Sequence, residues 1–196
     1  GKNGQGKSTF SKLIAGKLIE KCGKITKSAK LRVGYFSQDL IDTLSINETA
    51  IQHIERKLPK SNKKEIISLL VLGGISADVN NIPVRDLSGG QKARLAIILA
   101  SIDAPHLLIL DEPSNHLDIE SREKLAANLN NFTGAILLIS HDPYLINLVA
   151  DDLWLVKNKK ITKFDSDLST YKKLLMTDNH ANGNKKQKKE VQKLNF

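Results

Sequence analysis

The 196-residue chain is poor in the residues that build several kinds of protein. It has one cysteine, one methionine and only nine aromatic residues (five Phe, three Tyr, one Trp). A single thiol, Cys22, excludes a disulfide framework and any zinc site built from several cysteines, and fits a reducing compartment. The few aromatics are scattered, so no platform for stacking bases is indicated. The longest apolar runs, such as Leu95 to Ile102, fall far short of the roughly 20 residues that span a bilayer. No secretory pattern opens the chain, and its first residue is glycine instead of methionine, so it is expected to be a piece of something longer. What remains is 40% hydrophobic and 26% charged, ordinary globular composition with enough length to bury one core.

The net charge of +9 is unevenly placed. Residues 1–30 hold eight lysines and one glutamate, and residues 185–196 hold five lysines and one glutamate. The stretch between is slightly acidic. The two ends, and not a uniformly basic domain, therefore carry the surplus; such runs serve as solvated faces or as footprints for anions and nucleic acid.

Apolar segments and helical patterns alternate, which predicts an α/β fold with a mainly parallel sheet. Residues 8–20 read as a helix burying Phe10, Leu13, Ile14, Leu18 and Ile19. Leu31 to Phe36 reads as a strand, 47–58 and 62–72 as two helices, and Ser88 to Ile102 as a helix with Ser88 as N-cap and Gln91 in the capping-box position. The continuous apolar runs Leu107 to Leu110 and Ala135 to Ile139 suit parallel strands covered on both faces. Between them, 118–131 reads as a helix capped by Asp118. Leu153 to Val156 and Lys160 to Phe164 form an expected hairpin, with a helix from about Asp167. From Asp178 on, the composition suits either a disordered tail or the start of a further element.

Three segments carry chemistry. Gly1-Lys2-Asn3-Gly4-Gln5-Gly6-Lys7-Ser8 matches the P-loop pattern G-x-x-x-x-G-K-[ST] in full. Its glycines let backbone N–H groups turn toward phosphate oxygens at a helix N-terminus, Lys7 reaches the β- and γ-phosphates, and the Ser8 hydroxyl binds Mg²⁺. Such a loop normally follows a buried strand, which is expected to precede residue 1. Leu107-Leu108-Ile109-Leu110-Asp111-Glu112 is an apolar strand ending in two carboxylates, a Walker B pattern in which Asp111 holds Mg²⁺ and Glu112 orients the attacking water. Leu87-Ser88-Gly89-Gly90-Gln91 opens another helix with two glycines and a hydroxyl, a second anion site best used on a neighbouring module's nucleotide. Gln38 and His141 each follow a strand, where an amide reaches a metal or water and an imidazole reaches a γ-phosphate.

The order of P-loop, Gln38, Leu87–Gln91, Walker B with Glu112, and His141 resembles an ATP-binding cassette over residues 1 to about 176. Asp111-Glu112-Pro113-Ser114-Asn115-His116-Leu117-Asp118 is similar to the DEPTNHLD of the ABC-F family. Transporter cassettes usually carry serine-alanine where this chain has Asn115-His116. Lys92-Ala93-Arg94-Leu95 and Phe164-Asp165-Ser166-Asp167-Leu168-Ser169-Thr170-Tyr171 are also ABC-F-like. Ser114 replaces the usual threonine and keeps its hydroxyl. Pro143 stands where the family often has arginine, and the aromatic that stacks on adenine lies upstream of the P-loop in such cassettes. The whole looks most like the second cassette of a two-cassette member.

The resemblance implies a P-loop NTPase core over 1–45 and 85–165, a helical subdomain over 46–84, a closing helix over 166–177 and a basic tail or extension over 178–196. It implies ATP and Mg²⁺ as ligands and a nucleotide site of Gly1, Asn3, Gly4, Gly6, Lys7, Ser8 and Thr9. Ser8, Gln38 and Asp111 face the metal, Glu112 and His141 are catalytic, and Ser88, Gly89, Gly90 and Gln91 serve the partner cassette's ATP. The function implied is that of a cytoplasmic ATPase acting on the ribosome in translation, with RNA contact through lysine-rich surfaces. The alternative is the ATP-binding subunit of a membrane transporter. A chromosome-organising ATPase is disfavoured because only 80 residues separate Lys7 from Leu87, leaving no room for long coiled coils.

Overall fold

A computed structural model describes residues 4–115, 117–157, 160–164 and 170. The chain divides into two compact units, Gly1–Ala150 and Asp151–Phe196. The first contains α1 (Lys7–Ile14), β1 (Val33–Phe36), α2 (Gln38–Asp42), α3 (Ala50–Lys57), α4 (Lys63–Leu72), α5 (Gly89–Ser101), β2 (Leu107–Asp111), α6 (Ile119–Asn130), β3 (Ala135–Ile139) and α7 (Pro143–Val149).

The sheet of this unit is parallel, in the order β1-β2-β3, with Phe36 opposite Leu110 and Asp111 opposite Ile139. Parallel neighbours need crossovers, and the helices supply them. Period-2 alternation divides β2 between two layers. Leu108 and Leu110 join Phe36, Ala93 and Ala96 of α5, Leu125 and Leu129 of α6, and Leu145 of α7 in one apolar cluster. Ile109 and its register partner Tyr35 take the opposite face, where the Tyr35 hydroxyl lies 3.5 Å from Ser11 Oγ of α1. A second cluster joins Ala50, Ile51 and Ile54 of α3, Ile66 and Leu70 of α4, and Leu95 and Ile98 of α5. Helix α5 is thus shared by both clusters.

Local signals explain most boundaries. Ser88 and Gln91 form the expected capping box at α5, and Thr49–Gln52 and Asn62–Glu65 form two more. Asp118 caps α6 by accepting from Ser121 N–H. The expected helix over 8–20 is corrected: α1 stops at Ile14. Gly16 takes φ 73°, its N–H bonds Leu13 O at 3.1 Å and Lys17 N–H bonds Lys12 O at 2.8 Å, the two bonds of a glycine-terminated helix end. Leu18 and Ile19 are consequently exposed instead of buried. The expected strand from Leu31 begins at Val33, because Leu31 N–H is taken by Ser28 O in a turn.

β2 is central and buried, but β3 departs from the expected two-sided burial. It is the sheet edge among the described residues, and only Ile139 is buried. Two helices were not expected from the sequence. One is α2, which follows β1 directly. The other is α7, whose start carries a readable signal, Asp142 as N-cap with Pro143 at the first helical position.

The second unit shows the expected hairpin, β4 (Leu153–Lys157) antiparallel to β5 (Lys160–Phe164). The closing helix expected from Asp167 and the tail beyond Asp178 lie outside the described residues, as do Gly1, Asn3 and His116.

Candidate nucleotide site

The P-loop enters α1 through two left-handed glycines, Gly4 at φ 77° and Gly6 at φ 98°. A side chain at either position would be strained, so glycine is required by the backbone itself. Gly6 caps α1 without a side-chain bond, and the first turn holds no acidic residue, leaving the positive helix end uncompensated. Ser8 and Thr9 are exposed at this end.

The strand β2 delivers the two carboxylates. Asp111, its last residue, is 9% exposed, and its Oδ1 is buried without a hydrogen-bond partner. Glu112 follows at φ 54°, a left-handed conformation that costs a non-glycine residue about 1–2 kcal/mol. Its N–H donates to Ile139 O at 2.8 Å, carrying the ladder one step past the strand. The sharp turn takes the chain out of the sheet immediately after Asp111.

Strand β3 delivers His141. Its backbone N–H donates to Glu112 Oε2 at 3.2 Å, and its Nε2 lies 3.5 Å from Glu112 Oε1 and 3.0 Å from Lys7 Nζ. Burial and then the Lys7 charge push the His141 pKa below the ordinary histidine value, while Glu112 opposes them. Burial likewise lowers the Lys7 pKa, against the raising effect of Glu112 and Asp111. The neutral imidazole this favours accepts from the Lys7 ammonium at Nε2.

The ends of α1, β2 and β3 therefore bring Lys7, Glu112 and His141, far apart in sequence, into contact beside Asp111. Neither Gln38 nor the Ser88–Gln91 segment makes a hydrogen bond to this cluster among the described residues. Gln38 is the exposed first residue of α2. The Lys12–Asp39 ion pair at 3.3 Å links its helix to α1. Ser88 and Gln91 bond each other, Ser88 Oγ accepting from Gln91 N–H at 3.2 Å and Gln91 Oε1 from Ser88 N–H at 2.8 Å.

Among the described residues no three His, Cys, Asp or Glu side chains form a metal cage. The donor that the described residues offer at the strand end is the Asp111 carboxylate. It suits Mg²⁺, a hard cation that keeps waters and phosphate oxygens as its other ligands. The orphaned, buried Asp111 Oδ1 is the acceptor such an ion would satisfy.

Sequence reading missed the residues that hold the two strand-end loops together. Ser114 Oγ lies 3.4 Å from Ser140 Oγ, which accepts from Asp142 N–H at 3.0 Å. The Arg122 guanidinium lies 3.3 Å from Asp142 Oδ2. Only the Asp-Pro helix start was legible as a signal.

A sequence model of the family described as "ABC transporter" matches residues 1–115. The chain is 37% identical over 185 residues to the "Probable ATP-binding protein YheS" of Haemophilus influenzae, covering 94% of this chain and 29% of that protein. It is 41% identical over 175 residues to "ATP-binding cassette sub-family F member 3" of Mus musculus, covering 89% and 25% respectively. Among solved structures, an archaeal ribosome recycling factor in complex with the ribosomal stalk protein aP1 aligns with TM-score 0.64 at 31% identity, over 79% of this chain and 30% of that one. The chain thus spans between a quarter and a third of the curated relatives' length. No helix among the described residues is long and apolar enough to cross a membrane.

Proposed function

This chain belongs to the ABC transporter family of ATP-binding cassettes, with sub-family F proteins among its relatives, and on that premise we propose that it binds ATP with Mg²⁺ and hydrolyses it as one of two cassettes of a cytoplasmic ABC-F ATPase acting on the ribosome. The observation that carries the reading is the meeting of Lys7, Glu112 and His141 beside the unpartnered Asp111 Oδ1.

In this reading the P-loop amides and Lys7 hold the phosphates, and His141 releases Lys7 as the phosphate arrives. Glu112, fixed by the His141 N–H and by its own bond to Ile139 O, orients the attacking water and accepts its proton. Ser8, Asp111 and Gln38 would hold Mg²⁺, which supplies neutralisation of phosphate charge. Positioning and electrostatics do most of such a reaction, since little covalent chemistry is asked of the protein. Ser88 to Gln91 bond among themselves and leave the amides of Gly89 and Gly90 at a helix start, which suits a second cassette's nucleotide. The ribosomal role is supported by the sub-family F relatives and by the recycling factor among structural neighbours.

The test is Mg²⁺-dependent ATP hydrolysis by the full-length protein together with ATP-dependent co-sedimentation with ribosomes. ATP turnover with no ribosome association, and co-purification with a membrane-spanning subunit, would turn the reading toward a transporter's ATP-binding subunit.

A further inference from the structure

We propose that Arg122 is a positioning residue for His141, acting through Asp142; the inference rests on the ATPase reading above. Arg122 stands in the first turn of α6 and reaches across to both strand-end loops. Its Nε donates to Leu117 O at 3.1 Å, on the segment that follows Glu112. Its Nη1 lies 3.3 Å from Asp142 Oδ2, on the residue that follows His141.

Asp142 is well placed to transmit this hold. Its side chain is only 10% exposed, and its Oδ1 caps α7 by accepting from Tyr144 N–H at 3.0 Å and Leu145 N–H at 3.5 Å. Its Oδ2 is buried and makes no hydrogen bond, so the nearby guanidinium is what compensates that half of the carboxylate. The two loops have further rungs: Glu112 N–H to Ile139 O, His141 N–H to Glu112 Oε2, and the Ser114–Ser140 hydroxyl pair. Arg122, from α6, adds a further tie: it holds the backbone of the segment after Glu112 through Leu117 O and the side chain of the residue after His141 through Asp142 Oδ2. Its planar fork suits simultaneous contact with a carbonyl and a carboxylate, which an ammonium serves less well.

Without Arg122 the buried Asp142 oxygen loses its counter-charge, and the cap residue shifts toward water. His141, bonded to it through one peptide, shifts with it. Nucleotide binding is affected less than turnover, because the P-loop amides and the Lys7 charge stay in place, whereas the catalytic geometry of Glu112 and His141 is loosened. A displacement of this kind is felt in turnover, since small misplacements of reacting groups cost one to two decades in rate.

The experiment is steady-state ATP hydrolysis by the full-length protein, carrying Arg122→Met, Arg122→Lys or Arg122→Met with Asp142→Asn, assayed well below each variant's melting temperature. Arg122→Met is expected to lower kcat roughly 10-fold with KM for ATP changed less than about twofold. Arg122→Lys keeps the charge but not the fork and falls between. The double variant removes the uncompensated charge while asparagine still caps α7, so it recovers at least half of the lost kcat on a logarithmic scale. An unchanged kcat in Arg122→Met, a loss confined to KM, or a double variant no better than the single one overturns the proposal while leaving the ATPase reading intact. Absence of ATP turnover in the unmutated protein overturns both.

Discussion

Replacing Asp111 by asparagine tests whether the site is built for a cation. Asp111 is 9% exposed and its Oδ1 has no hydrogen-bond partner. An unsatisfied buried polar atom costs roughly 1–3 kcal/mol, and more when charged. The Lys7 ammonium, which feels the Asp111 charge, offsets part of that cost. Asparagine keeps the shape and the unpartnered oxygen but removes the charge, the larger part of the cost, leaving a net gain of about 1 kcal/mol in the absence of nucleotide, or about 2–4 °C in melting temperature for a protein of this size. Excess ligand at 100 times its Kd stabilises the unmutated protein by about 2.7 kcal/mol, and the variant loses most of this because it holds Mg²⁺ poorly. The order of stability therefore inverts: the variant melts higher in EDTA and lower with ATP and Mg²⁺. Thermal unfolding under the two conditions reads this directly. A variant less stable than the parent in EDTA, or one keeping the full nucleotide-induced shift, refutes the reasoning.

Glu112→Gln in the full-length protein is expected to bind ATP normally and to hydrolyse it at least 100-fold more slowly, as seen in single-turnover assays; unchanged turnover removes Glu112 from its role. Because burial and Lys7 hold the His141 pKa below the ordinary value, the folded state binds fewer protons than the unfolded one at acid pH. The associated stability is complete above about pH 6.5 and falls as pH drops through the window beneath it, and His141→Gln should flatten that slope in melting curves from pH 5 to 8. Gly34→Ala places a Cβ 2.2 Å from the Ala100 carbonyl oxygen and 3.0 Å from Leu108 Cδ1. Backbone cannot yield as a side chain can, so a loss of about 3 kcal/mol in urea unfolding is expected, and a loss below 1 kcal/mol would contradict the close approach of β1 and α5.

Signals that act over a few residues are legible in the sequence, whereas those that depend on packing are not. The Ser88–Gln91 capping box and the apolar core strand β2 are local signals, and each appears where the sequence placed it. The overlong first helix came from following apolar spacing past Gly16, whose left-handed conformation ends the helix whatever lies beyond. β3 read as a fully buried strand because an apolar run reports side chains and not the number of strands beside it.

By itself, the sequence determined which residue types stand at the strand ends and helix starts that it placed: the P-loop glycines, the lysine, the paired carboxylates and the Ser88 cap. These follow from bonds reaching a few residues along the chain. Only the tertiary structure decided that Lys7, Glu112 and His141 touch, that Asp111 keeps an unpaired buried oxygen, and that Arg122 fastens the two loops. Those outcomes depend on the order of parallel strands, which brings residues more than a hundred positions apart to one edge, and no local pattern encodes the resulting distances.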